Sequence, residues 1–161
     1  MRKKLFAAAL VLSVAAPVAA VVAMPGDDAP LVTKSGPLGA PEAGTGQVVF
    51  YRPGSLMGAA LGCTVREGDT QIARLGSGKF YAVSVAPGVH TYNTRGEAKD
   101  EIRLEVEADE TYFVRCNIGM GVMAGRANLS PSDREAFAKK AKGLKMWEPK
   151  DDPEEKEPKA E

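Results

Sequence analysis

The side chains with the most specific chemistry in this 161-residue chain are two cysteines, Cys63 and Cys116, and a single histidine, His90. The histidine sits in the run Val85-Ala86-Pro87-Gly88-Val89-His90. Zinc-type sites use three or four ligands, and no second histidine exists to join it. A nucleophile–base pair would need a free Ser, Thr or Cys in reach. Proline followed by glycine suits the centre of a type II turn, so His90 is expected two residues into the strand that leaves the turn, half exposed and structural. Two cysteines in an exported chain point to a Cys63–Cys116 disulfide, with free thiols or half a metal site as alternatives. Such a bond would add roughly 3–4 kcal/mol in the chain-entropy model.

The carboxylate pairs Asp100-Glu101 and Asp109-Glu110 are adjacent in sequence. Neighbours along a strand point to opposite faces, so Asp100 and Glu101 cannot share one site, and Asp109 has a turn residue's reasons to be where it is. The run Ile118-Gly119-Met120-Gly121-Val122-Met123-Ala124-Gly125 has the glycines of a nucleotide loop but no helix opening after it. Met57, Met120 and Met123 could bind Cu(I) through thioether sulfurs, although methionine more commonly fills apolar space. A second glycine-rich apolar stretch, 54–62, ends at Cys63, and the first begins just after Cys116. A disulfide holds its Cα atoms roughly 4.4–6.8 Å apart, so the bond would bring both stretches to one edge of the fold. Leu56, Met57, Leu61, Met120, Val122 and Met123 are then a candidate partner or ligand patch. The alternative is that they are buried connections, with glycine permitting close backbone approach. No catalytic residue, metal site or cofactor is expected.

The elements that must position these residues are strands. Residues 100–107 alternate, with Ile102, Leu104 and Val106 on one face and charged residues on the other, as a half-buried strand does. Further strands are expected over 47–52, 63–67, 71–75, 79–85, 89–95, 110–117 and 125–129, with turns at Gly68-Asp69, Gly76-Ser77-Gly78, Pro87-Gly88 and Ala108-Asp109. Val65 and Val114 share the faces of Cys63 and Cys116, which puts the disulfide in or near the core. The fold class is all-β: an antiparallel sandwich or partly open barrel of about seven to eight strands. One C-terminal helix packs on it, starting at Ser130-Pro131-Ser132-Asp133, with Ser130 as N-cap and Pro131 at the first turn. Phe137, Ala141 and Leu144 recur on its buried face.

At the N-terminus, Met1-Arg2-Lys3-Lys4 precedes an apolar run and small residues up to Ala23, the pattern of a secretory signal peptide (1–23) cut after Ala20 or Ala23. No spanning helix is expected in the mature chain, since Pro17 disfavours one, and no cysteine follows either cleavage site to carry a lipid. Prolines then mark a disordered linker (24–45), a β-domain with its helix (46–146) and a disordered acidic tail (147–161). The whole chain balances 21 basic against 21 acidic residues, and loss of Arg2, Lys3 and Lys4 leaves a net charge of −3. That balance argues against a nucleic-acid partner.

The segments "GQVVFYRPGSLMGAALGCTV", "VAPGVHTY", "EAKDEIRLEVEADETYFVR" and "IGMGVMAGRANL" together resemble the DUF2846 family of small exported bacterial proteins. The resemblance covers approximately 46–144, and its marks are the Val-Phe-Tyr-Arg-Pro start, the Pro-Gly-X-His turn and the Thr-Tyr-Phe-Val-Arg strand followed by Gly-Met-Gly. The turn is also similar to those of PEGA-type surface domains. The resemblance implies an all-β exported domain and brings no catalytic residues with it. The expected role is a non-catalytic module, periplasmic or secreted, that binds a protein or envelope component. The competing expectation is a periplasmic small-molecule or copper carrier built on the Gly/Met-rich stretches.

Overall fold

The computed structural model describes residues 29–56, 58–94, 100–120 and 125–149, with only the backbone described for Met120 and Gly125. Eleven strands form among these residues: β1 (Val32–Thr33), β2 (Gly36–Pro37), β3 (Gly46–Arg52), β4 (Cys63–Glu67), β5 (Thr70–Leu75), β6 (Lys79–Val85), β7 (Gly88–Thr94), β8 (Asp100–Val106), β9 (Thr111–Met120), β10 (Gly125–Ser132) and β11 (Lys145–Met146). Helix α1 (Arg134–Ala141) lies between the last two. Eight strands are longer than two residues, and each overlaps an expected one. Together with the two-residue β11 they build two facing sheets, one in the order β10-β9-β3-β6-β11 and one in the order β5-β4-β7-β8, while β1 and β2 pair separately.

The chain alternates between the two sheets through its tight turns. The Pro87-Gly88 turn carries the backbone from β6 in one sheet to β7 in the other, and Gly88 takes a φ of 141° that disfavours a side chain. Asp109, at φ 63°, does the same between β8 and β9, and its Oδ1 accepts a hydrogen bond from the Gly44 amide at 3.2 Å. After β6, which is antiparallel to β3, the chain passes through β7 and β8 of the other sheet and returns as β9, which runs parallel to β3 with Tyr51 opposite Arg115. The sandwich is therefore mixed, where a wholly antiparallel one is expected from the sequence.

Burial explains why β3 lacks alternation. Val48 and Phe50 point into the core between the sheets, whereas Val49 and Tyr51 point to the outer face covered by α1. Phe137 of α1 lies 5.2 Å from the Tyr51 ring, 5.9 Å from Phe80 and 5.1 Å from Phe113. A strand buried on both sides reads as a continuous apolar run.

Three boundaries differ from expectation. The helix starts later: Asp133 is the N-cap, its Oδ1 accepting from the Ala136 amide at 2.7 Å, while Ser130 to Ser132 finish β10. Pro131 is tolerated there because β10 is the edge of its sheet and needs no ladder donor on the open side. The expected linker, from Ala29 on, belongs to the fold. Leu31 joins the core under α1, and the Lys34 amide donates to the Leu144 carbonyl at 2.8 Å. At the other end Trp147 is buried, its amide donating to the Phe80 carbonyl at 2.7 Å and its ring set edge-on to Tyr81. The expected signal peptide and residues 150–161 of the tail lie outside the described residues. No helix among the described residues is long and apolar enough to cross a membrane.

A candidate binding site at the disulfide-bonded end

Cys63 opens β4 in one sheet and Cys116 lies on β9 in the other, so their bond joins the sheets across the core. The Cα atoms are 6.6 Å apart, and both residues are buried beside Val65 and Val114, the faces assigned to them from the sequence. The loop 53–62, between β3 and β4, is thereby fastened at its far end.

Its near end is held by Arg52, the arginine of the Val-Phe-Tyr-Arg-Pro run, whose role the sequence does not reveal. The side chain is 2% exposed. One terminal nitrogen donates to the Leu61 carbonyl and to the Leu75 carbonyl at 3.2 Å, and the other donates to Gly58 O at 2.6 Å. Burial pushes the Arg52 pKa below its ordinary value, but a guanidinium stays charged in proteins. Carbonyl dipoles from the middle and far end of the loop, and from the end of β5, therefore converge on one cation. Gly58 takes a φ of 69°, and a Cβ there would stand 3.1 Å from Ile118 Cγ2, so the loop lies against β9 just beyond the disulfide.

Of the expected patch, Leu56 is 100% exposed and Leu61 is 39% exposed. Met57, Val122 and Met123 lie outside the described residues, as does the side chain of Met120. The glycine-rich loop does reach the strand that precedes the second stretch. Beside the loop, and lined by none of the expected patch residues, is a cleft of about 270 Å³ formed by residues 52–55, by 115–118 of β9 and by Lys140 of α1. Three of its lining residues are cations (Arg52, Arg115 and Lys140), and no acid among the described residues lines it. Arg52, Arg115 and Lys140 were missed because they come from three separate elements, and no local spacing unites them.

The other chemistry-bearing residues are tied into structural bonds. His90 Nδ1 lies 2.7 Å from Glu67 Oε1 and Nε2 lies 2.8 Å from the Ala86 carbonyl, with the ring stacked on Tyr92 at 6.0 Å. Both ring nitrogens face acceptors, which favours the imidazolium with two N–H donors. Burial lowers the His90 pKa, but the Ala86 carbonyl and the hydrogen bond and charge of Glu67 outweigh it, and the net shift is upward from 6.5. A raised folded-state pKa gives stability that is complete below about 6.5 and disappears as pH rises through the higher folded value. Urea denaturation of the wild type is accordingly expected to show a lower midpoint at about pH 8.5 than at about pH 5.5, a difference that His90→Gln reduces. An unchanged pH difference in that variant would refute the clamp. Asp100 Oδ2 accepts from the Leu129 amide at 2.5 Å, fastening β8 to β10. Among the described residues, no three His, Cys, Asp or Glu side chains are grouped to hold a metal.

A two-sheet β-sandwich with one covering helix and an inter-sheet disulfide is the class that this architecture defines. The chain belongs to the family described as Protein of unknown function (DUF2846), whose model matches residues 42–128. The matched span holds β3 to the first half of β10, with Arg52, both cysteines and His90, and stops short of α1. The chain is also similar to an uncharacterized protein of Haemophilus influenzae, at 27% identity over 145 residues, 89% of this chain and 86% of that one. No solved structure matches the chain.

Proposed function

We propose that this protein is a non-catalytic, exported binding or structural module that engages a protein or envelope component through the end of the sandwich that carries the 53–62 loop. The observation that carries this reading is Leu56, wholly exposed on a loop that the disulfide and Arg52 hold in one shape. Ordering a flexible loop on binding costs free energy; a loop already fixed presents its apolar tip without that cost. The groups from which a catalytic pair would be assembled are committed elsewhere: the thiols to each other, His90 to Glu67 and Ala86, Asp100 to the Leu129 amide.

A photo-activated cross-linking residue placed at position 56 in intact cells tests the reading. It is expected to give a discrete adduct that the same residue at Val89, exposed at a turn outside this site, does not give. Leu56→Asp should reduce capture by a linker at Leu61 about tenfold, the worth of one buried leucine side chain. Folding stability should move by less than about 0.5 kcal/mol, because the side chain touches solvent only. Equal adducts at 56 and 89, or none at either, would overturn the proposal.

A further inference from the structure

We infer that the cleft between the end of β3, β9 and α1 is a site for a phosphate group. Buried charge is the first reason. Arg52 is 2% exposed and its hydrogen bonds go to three backbone carbonyls. These occupy three of its five N–H donors and leave its positive charge unbalanced, since no acid among the described residues lines the cleft. A buried cation without a counter-charge is costly, and an anion seated beside it recovers part of that cost.

The second reason is the pair at the rim. Arg115, on the strand register next to Tyr51, and Lys140, on α1, are exposed at the same opening. Neither has a carboxylate partner among the described residues, although Lys139, one position away, pairs with Glu135 at 3.0 Å. The chain as a whole is balanced in charge, so three cations with no acid beside them among the described residues are a local feature and not a consequence of a basic protein.

Charge matching then selects the ligand class. A carboxylate brings one negative charge, whereas a phosphate monoester brings roughly 1.5 to 2 and three acceptor oxygens, which Arg and Lys donors meet well. A volume of about 270 Å³ falls just below the range usual for small-ligand pockets, so it suits a phosphate with the first atoms of its carrier. The inference rests on the reading of this end as a binding surface, and it names what that surface would recognise: a phosphate carried by a lipid headgroup or free in solution.

Titration of the mature chain with inorganic phosphate, followed by amide chemical shifts, provides one arm. Shifts are expected at 115–118 and at the amides of 54 and 55. The Arg115→Gln, Lys140→Gln double variant should bind at least tenfold more weakly, one charge-assisted hydrogen bond being worth that much. Lys142→Gln, at the C-cap of α1 and off the cleft, should bind like the wild type. Sedimentation with phosphatidylcholine vesicles, with or without phosphatidic acid, whose headgroup is a phosphate monoester, is the other arm. Phosphatidic-acid-dependent binding lost in the double variant assigns the phosphate to a headgroup; a phosphate response without vesicle binding assigns it to a soluble species. No response in either arm, or a response that the double variant keeps, overturns the inference. If it alone fails, the Leu56 adduct persists; if the binding reading fails, that adduct is absent from the unaltered protein.

Discussion

Replacing Cys63 and Cys116 together by alanine is expected to lower the free energy of unfolding by about 4 kcal/mol. The two residues are 53 apart in sequence, and closing a loop of that length in the denatured chain removes about that much entropic free energy at room temperature. Native contacts point the same way. The bond ties β4 of one sheet to β9 of the other, and both residues are fully buried, so alanine also leaves small voids against Val65 and Val114. For a domain of this size the loss corresponds to a drop of about 15 °C in Tm. Urea denaturation separates the two contributions. Without the cross-link the denatured chain expands, so the m-value should rise as the midpoint falls. Voids alone would shift the midpoint at constant m. If the double variant unfolded at the wild-type midpoint, the bond would be idle and the rigidity assigned to the 53–62 loop would lose one of its two anchors.

How far the sequence foretold this molecule can be judged element by element. Ile102 and Val106 alternate with charged residues because β8 has one wet face, and that period survives in the structure with both residues buried. The tight turns were equally legible, since Gly88 and Asp109 sit at positive φ where glycine and aspartate are tolerated. Less visible was which sheet each strand joins: a tight turn between strands reads as a hairpin, yet Pro87-Gly88 and Ala108-Asp109 pass between layers. Nor does any local pattern announce β1, β2 and β11, two-residue ladders held by tertiary contacts to Leu144 and Phe80. Trp147 did carry a signal. A large indole placed just after an amphipathic helix is rarely left in a solvated tail, and the domain should have been extended to include it. Arg52 carried none, because a charged residue at the end of an apolar strand reads as a strand leaving the core. Only the folded loop, curling its carbonyls back over the guanidinium, makes burial there tolerable.

Arg52→Met is therefore expected to act on the loop more than on the sandwich. Methionine fills similar volume and removes the desolvation cost of the charge, but it abandons the carbonyls of Gly58, Leu61 and Leu75. Three charge-assisted bonds are lost against that gain, and the net cost should be about 2–3 kcal/mol. Arg52→Lys tests the geometry, because one ammonium keeps the charge but cannot span carbonyls that a planar fork reaches from two nitrogens. Amide hydrogen exchange gives the local readout. The Leu61 amide, bonded to Gly58 O at 3.0 Å, should exchange much faster in both variants, while β4 amides beyond Cys63 keep their protection. Cross-linking from position 56 should weaken in parallel, since a loosened loop must be reordered when its partner arrives. Lost stability with unchanged exchange in the loop would mean that Arg52 serves the core alone. Unchanged exchange in Arg52→Lys by itself would show that charge, and not the fork, holds the carbonyls in place.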